Sequence, residues 1–231
     1  MENFNEGLLK LYRRILNDLQ NAIKSLQKDD IRHQASNSNK PLMILGPSSV
    51  GKNTLINKLK EKYPELIYKL PLYTTRPRRE GEIDGIDYYF ITKEEFLEMR
   101  KENKLFGLEM HNNDYYASGK YKLKEAVAAN KGIIIVNHSI LTANTVKDEI
   151  DFNFVAVLPP SEGELRKRIA MRTTKEDEIK RKMAISLRQI QIINGANYIK
   201  FRVVNDNIDR AFDKLDGYIK DTYPQLFSMN K

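Results

Sequence analysis

The sequence predicts an α/β fold in which a largely parallel sheet is flanked by helices. Short, continuously apolar segments of strand length alternate along the chain with helical segments, as they do in βαβ units. One such strand runs directly into a glycine-bounded loop and then into a helix. At 231 residues the chain is long enough for a substantial core, so we expect one main domain with a short appendage.

The appendage is predicted over residues 1–40 as an amphipathic helical extension and a linker. Between residues 8 and 26, apolar side chains recur at helical spacing with charged side chains between them. The polar stretch DDIRHQASNSNK follows, ends at Lys40 and is typical of a linker. Because the apolar stripe is too wide to remain solvated, we expect the helix to pack on the main domain or to pair with a second copy in a homodimer. The main domain is predicted over residues 41–225.

Within the main domain, apolar runs and helix caps locate the principal elements. Three continuously apolar runs of strand length predict strands that are buried on both faces, at residues 42–45, 133–136 and 154–158. A helix is expected from about residue 53 to residue 62. Thr92 and Ser161 each precede a glutamate by three residues, which predicts a capping box at the start of two further helices.

The overall composition excludes several classes of function. The sequence contains no cysteine, so disulfides and thiolate metal sites are excluded. No apolar run approaches the roughly 20 residues of a membrane-spanning helix, and the first residues lack the apolar core of a secretory signal, so we expect a soluble, cytoplasmic protein without a membrane partner. The formal net charge of +8 favours a polyanionic partner. Because no RNA-binding signature accompanies it, we expect nucleotide phosphates rather than nucleic acid.

A phosphate-binding loop is predicted directly after the first strand. The segment GPSSVGK at residues 46–52 has the spacing G-x-x-x-x-G-K between a strand and a helix. Backbone N–H groups of such a loop surround nucleotide phosphates, and the lysine ammonium neutralises charge on the transferring phosphoryl group. We therefore predict a P-loop fold that binds ATP. The predicted ATP-binding residues of this segment are Gly46, Pro47, Ser48, Ser49, Val50, Gly51, Lys52, Asn53 and Thr54, with Lys52 also catalytic.

Asn53 is a departure from the usual P-loop. The residue after the lysine is normally Ser or Thr, whose hydroxyl binds Mg²⁺, and here Thr54 follows one place late. An amide oxygen is still able to reach a magnesium ion, directly or through water. We therefore predict Asn53 as the metal residue, with a weaker or altered contact to Mg²⁺.

Two segments rich in arginine and tyrosine follow the loop, TTRPRREGE at residues 74–82 and DGIDYYF at residues 84–90. They resemble the guanylate kinase signature T-T-R-x-P-R-x-G-E followed by D-G-x-D-Y-x-F, with the proline one place early. The resemblance implies that Arg76, Arg79 and Tyr88 bind the phosphate of an acceptor substrate, with Arg76 also acting in catalysis. Guanidinium groups bind phosphate bidentately, which suits this role.

Three later segments extend the resemblance. YYAS at residues 115–118 resembles the family's Y-Y-G-[ST] and implies that Tyr116 and Ser118 bind the acceptor. PPSEGELRKRIAMR at residues 159–172 is similar to the family's helical lid, which implies that Arg168 and Arg172 close over the ATP phosphates and act in catalysis. VVND at residues 203–206 resembles the segment near the adenine pocket and implies that Asn205 binds ATP. The resemblance spans about residues 41–219 and implies an acceptor-binding subdomain and a lid.

The residues at the positions where this family recognises guanine are different in this chain. Leu72 stands where the family has a small hydroxyl residue, and Glu109 lies one or two places from the family's glutamate. Asn137 belongs to a segment, VNHS, where the family has aspartates. Phosphate capture is therefore expected to be intact, whereas base recognition rests on Glu109 and Asn137 and is expected to be less selective.

The same departures also resemble ribose 1,5-bisphosphate phosphokinases, at Asn53, His111 and residues 136–139. Three hypotheses stay open from the sequence. The first is phosphoryl transfer from ATP to GMP, which yields ADP and GDP and uses Mg²⁺. The second is the same reaction with ribose 1,5-bisphosphate or another nucleoside monophosphate, and the third is a kinase-like binding module without turnover.

Overall fold

The computed structural model describes residues 40–111 and 113–228, with the side chain of His111 outside that description. The predicted helix over residues 8–26 also lies outside the described residues, so the division into an extension and a main domain stays a prediction. The two ends of the described chain meet, because the Tyr223 hydroxyl donates to the carbonyl oxygen of Lys40 over 2.7 Å. Among the described residues, no helix is both long and apolar enough to cross a membrane.

A five-stranded sheet forms the centre of the fold, and every pair of neighbouring strands in it is parallel. Its strand order is β2-β7-β1-β8-β9. The strands are β1 (Leu42–Leu45), β2 (Ile67–Lys69), β7 (Ile133–His138), β8 (Asn153–Leu158) and β9 (Phe201–Val204). The three strands predicted from apolar runs are β1, β7 and β8. They are the middle of the sheet, which explains why their sequences are apolar on both faces.

Side chains of β1 alternate between two hydrophobic cores, one on each face of the sheet. Leu42 and Ile44 belong to the first core, with apolar residues of α1 (Lys52–Lys62) and α7 (Ile208–Thr222). Met43 and Leu45 belong to the second core, with residues of α3 (Lys120–Ala128) and α4 (Ile140–Val146). All four β1 side chains are fully buried. The predicted parallel sheet with helices on both faces is confirmed.

A second sheet of four strands carries the acceptor-binding subdomain. Its order is β4-β3-β6-β5, and β6 is antiparallel to both of its neighbours. Its elements are β3 (Leu72–Thr74), β4 (Tyr88–Phe90), β5 (Leu105–His111), β6 (Asp114–Gly119) and helix α2 (Lys93–Lys101). The capping box predicted at Thr92 is confirmed, because the Thr92 hydroxyl accepts from Glu95 N and the Glu95 carboxylate accepts from Thr92 N.

The predicted lid is a pair of helices, α5 (Glu162–Ala170) and α6 (Glu176–Gly195), and α8 (Pro224–Ser228) ends the described chain. Ser161 caps α5 by accepting from the backbone N–H of Glu164. The Glu164 carboxylate binds Arg168 Nε at 2.9 Å. Only the serine half of the second predicted capping box is therefore seen, because an i,i+4 ion pair takes the glutamate.

Candidate active site

The loop from Gly46 to Lys52 joins the carboxyl end of β1 to the start of α1, where two glycines are sterically required. Gly46 has φ 145° and Gly51 has φ 96°. A Cβ on Gly46 would lie 2.3 Å from the carbonyl oxygen of Val157, and one on Gly51 would lie 2.3 Å from Asn205 Nδ2. Both the backbone angles and the close approaches exclude other residues. The P-loop predicted from glycine spacing is therefore formed.

Lys52 turns back over this loop. Its Nζ donates to the carbonyl oxygens of Gly46 at 2.6 Å and Pro47 at 2.9 Å. Burial lowers the pKa of the Lys52 ammonium to about 8, the Glu109 carboxylate raises that pKa, and the Arg172 guanidinium lowers it. Phosphate oxygens bound in the loop would favour the charged form of Lys52. These charge interactions also place Glu109 and Arg172 in the neighbourhood of the loop.

Asn205 directly follows β9 and contacts the loop. The side chain is buried, and its Nδ2 donates to the carbonyl oxygen of Val50 at 2.8 Å. Arg168 of the lid donates from Nη2 to the carbonyl oxygen of Asn205 at 3.0 Å. Asn205 thus connects the phosphate loop to a lid arginine, and its predicted contact with the nucleotide stays a prediction. Arg172 is exposed just beyond the end of α5.

Asn53, the predicted metal residue, is paired with Asn137 of β7. Asn137 Nδ2 donates to Asn53 Oδ1 over 2.7 Å. A carbonyl oxygen has two lone pairs, so this bond leaves one for a cation or for its water shell. Among the described residues there is no cluster of three His, Asp or Glu side chains able to hold a metal ion. An Mg²⁺ ion carried largely by nucleotide phosphates and water would fit beside this neutral amide, and Asn53 as the metal residue stays a prediction.

The acceptor-binding subdomain brings Arg76, Tyr88 and Tyr116 together. Arg76 is buried, and its guanidinium carbon lies 4.9 Å from the Tyr88 ring centroid and 5.5 Å from that of Phe90. The Tyr88 and Tyr116 rings meet edge to face at 6.1 Å. Burial raises the pKa of the Tyr88 hydroxyl, which therefore stays protonated and able to donate. Three predicted acceptor residues thus form one cationic and hydroxyl-bearing cluster.

Glu82, to which the sequence interpretation gave no role, is the direct partner of Arg76. Its Oε2 accepts from Arg76 Nη1 at 2.7 Å and its Oε1 accepts from Arg76 Nη2. It also accepts from the backbone N–H of Arg79 at 2.9 Å, while the Arg79 side chain is exposed. Arg76 lowers the pKa of Glu82 to about 2, and Glu82 raises the pKa of Arg76. The final glutamate of the TTRPRREGE segment is the sequence signal that could have indicated this partner.

Glu109 reaches the site because of an irregularity in β5. Phe106 pairs with Ser118 and Glu109 pairs with Tyr116, so three steps on β5 match two on β6. Glu109 Oε1 accepts from the backbone N–H of Ser139 at 2.8 Å and from Thr142 Oγ1 at 3.2 Å.

Ser118, a predicted acceptor residue, is fully buried in the structure, and its hydroxyl hydrogen-bonds His138 Nε2 at 2.9 Å. The structure therefore gives Ser118 a partner inside the protein, and its direct contact with an acceptor stays a prediction. The sequence left open whether His138 is a catalytic residue or an ordinary polar residue beside the cleft, because a lone histidine at a strand end carries no pattern that indicates its partners.

The fold and the site together define a P-loop phosphotransferase, with a phosphate loop, an arginine-bearing lid and a separate acceptor sheet. The sequence model of the guanylate kinase family matches residues 38–222 of this chain. The chain belongs to the guanylate kinase family, whose members are ATP-dependent nucleoside monophosphate kinases. This confirms the resemblance inferred from the motifs.

Individual relatives agree with the family match. The guanylate kinase of Oceanobacillus iheyensis is 33% identical over 180 residues, which cover 77% of this chain and 85% of that protein. The guanylate kinase of Desulfitobacterium hafniense is 34% identical over 180 residues, covering 77% of this chain and 88% of that protein. The crystal structure of guanylate kinase from Anaplasma phagocytophilum is similar in fold, with a TM-score of 0.60, 23% identity, and coverage of 80% of this chain and 86% of that one.

Proposed function

We propose that this chain transfers the terminal phosphoryl group of ATP to GMP, yielding ADP and GDP. One observation carries the proposal. The P-loop with Lys52 and the acceptor cluster of Arg76, Tyr88 and Tyr116 are both formed, and Glu109 links them, since it projects from the acceptor sheet while its charge acts on Lys52. The relatives that cover most of this chain carry the name guanylate kinase. They support GMP over the alternative acceptors and over an inactive module.

In the proposed mechanism, the backbone of the P-loop and Lys52 bind the β- and γ-phosphates of ATP. Arg168 and Arg172 close over the transferring group from the lid, and each adds positive charge as negative charge spreads over the phosphoryl oxygens. Arg168 already contacts Asn205, whose side chain contacts the loop, which supports this role.

On the acceptor side, Arg76, Arg79, Tyr88 and Tyr116 bind the phosphate of GMP and hold one of its oxygens in line with the γ-phosphate. Glu109 accepts hydrogen bonds from N–H groups of the base. Mg²⁺, when bound beside Asn53, supplies charge neutralisation at the ATP phosphates. Phosphoryl transfer of this kind depends on positioning and charge, so no strong general base is required.

The same proposal accounts for the positive charge of the protein. Cationic side chains converge on the phosphate sites from the loop, the lid and the acceptor sheet, so we propose nucleotides rather than nucleic acid as partners. Because ATP and GMP are substrates held inside cells, we also propose a cytoplasmic location. The homodimer expected from residues 8–26 stays a proposal that requires a measurement of mass in solution.

The proposal is tested with purified full-length chain in a coupled ADP-release assay. The acceptors compared are GMP, dGMP, AMP, UMP and ribose 1,5-bisphosphate at equal concentrations. We expect GMP to give the highest kcat/KM and Glu109→Gln to reduce GMP use specifically, because a half-buried carboxylate that binds base N–H groups discriminates against bases that lack them. The proposal would be overturned if ribose 1,5-bisphosphate were the one acceptor of this set that gave turnover. It would also be overturned if none of the five acceptors gave turnover.

A further inference from the structure

A buried histidine links two predicted acceptor residues that lie on different strands. His138 ends β7, is 2% exposed, and forms a hydrogen bond between its Nε2 and the Ser118 hydroxyl over 2.9 Å. Its other ring nitrogen, Nδ1, is buried, has no hydrogen-bond partner among the described residues, and lies 3.5 Å from Glu109 Oε1. The ring therefore stands between a hydroxyl and a carboxylate, and none of the proposed phosphoryl-transfer steps uses it.

The residues packed around the His138 ring determine its position. A Cβ on Gly107 would lie 2.6 Å from His138 Cε1 and 2.7 Å from its Nε2, and the Phe106 ring packs at 5.9 Å between centroids. Gly107 also has φ 68°, a conformation that favours glycine. The β5 bulge thus leaves space for the imidazole beside Glu109. A histidine that served only as core packing would not require a glycine at this point of β5 to make room for its ring.

Electrostatics select the tautomer of this ring. Glu109 Oε1 already accepts from Ser139 N and Thr142 Oγ1, so it presents negative charge to Nδ1. A bare nitrogen lone pair on Nδ1 would face that carboxylate with repulsion, whereas an N–H there is attracted to it. A neutral imidazole with its proton on Nδ1 carries a lone pair on Nε2. The Ser118 hydroxyl must then be the donor in the Ser118–His138 bond.

We infer that His138 is a positioning residue for acceptor recognition: it takes a hydrogen bond from Ser118 at Nε2 and directs its Nδ1 proton at Glu109. The inference rests on the proposed function in that Glu109 is the carboxylate that reads the acceptor base. Ser139, Thr142 and His138 all act on the same oxygen, Oε1. The carboxylate is therefore oriented before the acceptor binds, which lowers the entropy lost when its hydrogen bonds to the base form.

The first test reads the tautomer directly and needs no substrate. The sequence has three histidines, so long-range ¹H–¹⁵N spectra of the full chain at neutral pH give three ring patterns, and His138→Gln identifies the pattern of His138 by its loss. We expect the Nδ1-protonated neutral tautomer. A pattern of the Nε2-protonated tautomer, or of a doubly protonated ring, would overturn the inference whatever the enzyme assay shows.

The second test separates positioning from simple packing with two matched variants. An asparagine amide is the polar group that best replaces Nδ1, and a glutamine amide best replaces Nε2. His138→Asn is therefore expected to keep the ratio of kcat/KM for GMP to that for AMP within about threefold of wild type. His138→Gln keeps the Ser118 contact, loses the Glu109 contact, and is expected to lower that ratio about tenfold, as expected when a carboxylate loses a polar contact that orients it.

The outcomes of the two tests are distinguishable. If both variants lower stability and leave the GMP to AMP ratio equal, His138 is only a packing residue and the inference is wrong. Thermal melts show whether each variant is folded, and the tautomer measurement decides where one is not. Absence of GMP turnover in the wild-type chain would overturn the proposed function alone. The tautomer of His138, and with it the direction of the Ser118–His138 hydrogen bond, is measured by NMR without substrate.

Discussion

The Arg76 guanidinium donates to both carboxylate oxygens of Glu82, and its Nη1 donates as well to the carbonyl oxygen of Pro77 at 2.8 Å. A guanidinium has five N–H donors, and these three bonds use only the end formed by its two Nη groups. The hydrogens on Nε and the outer side of Nη2 lie along another edge, whose spacing suits two oxygens of a phosphate. Glu82 therefore fixes the direction in which Arg76 presents its second edge.

Replacing Glu82 tests this relationship. In Glu82→Gln, Arg76 loses its charged partner and the orientation that this partner imposes, so we expect KM for GMP to rise about tenfold with KM for ATP nearly unchanged. Glu80→Gln, an exposed change two residues away, serves as the control. Equal KM values for GMP in the two variants would show that Arg76 does not depend on Glu82.

The same pair predicts a dependence of stability on pH. The folded-state pKa of Glu82 is lowered from 4.5 to about 2, so its contribution to stability is fully present above pH 4.5 and is lost as the pH falls towards 2. We therefore expect the difference in melting temperature between wild type and Glu82→Gln to shrink when the pH is lowered from about 5 to about 3. A difference that stays constant or grows over this range would contradict the assigned ion pair.

Arg76 itself is expected to act on the acceptor and not on ATP. Arg76→Ala removes a bidentate phosphate ligand, so KM for GMP should rise by about 10- to 100-fold and kcat should fall, while ATP affinity changes little. Arg78→Ala is the matched control, since Arg78 is exposed in the same segment. A comparable loss of ATP affinity in Arg76→Ala would show that this arginine acts at the ATP-binding side of the cleft and not at the acceptor-binding side.

Lys52 is expected to contribute most to turnover. Lys52→Ala deletes a preorganised positive charge at the transferring group, and we expect kcat to fall by at least about 100-fold while the fold is retained. Lys60→Ala, on the exposed face of the same helix, is the control and should be near wild type. Circular dichroism checks that both variants are folded. Near-normal turnover in Lys52→Ala would contradict the P-loop assignment.

Asn53 leads to a prediction about magnesium. Asn53→Thr places the usual hydroxyl after the P-loop lysine and removes the acceptor of Asn137 Nδ2, so we expect half-maximal activity at a lower Mg²⁺ concentration, by about threefold or more. Asn57→Thr makes the same change one turn later on α1 and should leave the Mg²⁺ titration as it is in wild type. An unchanged Mg²⁺ titration in Asn53→Thr would show that the residue directly after the P-loop lysine does not contact the metal.

Deleting residues 1–38 tests the predicted helical extension. We expect the shortened chain to keep its kcat and KM values, because the described site is built entirely from later residues, but to change its mass in solution or its solubility. Light scattering coupled to size-exclusion chromatography measures the mass. A folded truncation that has lost all activity would show instead that the extension shapes the site.

Features that depend on local chemistry could be predicted from the sequence alone. The apolar runs at 42–45, 133–136 and 154–158 became parallel strands at the centre of the sheet, since only residues apolar on both faces suit that position. The glycines at the two ends of the P-loop marked backbone conformations and close approaches that no other residue permits. The positions of Lys52 and of the Arg76 and Tyr88 cluster followed from motifs of fixed spacing.

Which distant side chains meet depends on the tertiary structure. Asn53 pairs with Asn137, and Glu109 meets Ser139 and His138, because the start of α1 and strand β5 of the second sheet both lie against the carboxyl end of β7. The direction of Glu109 depends on the bulge in β5, since a one-residue change of register moves a side chain to the opposite face of a strand. Register is a property of paired strands, and a sequence pattern within one strand does not contain it.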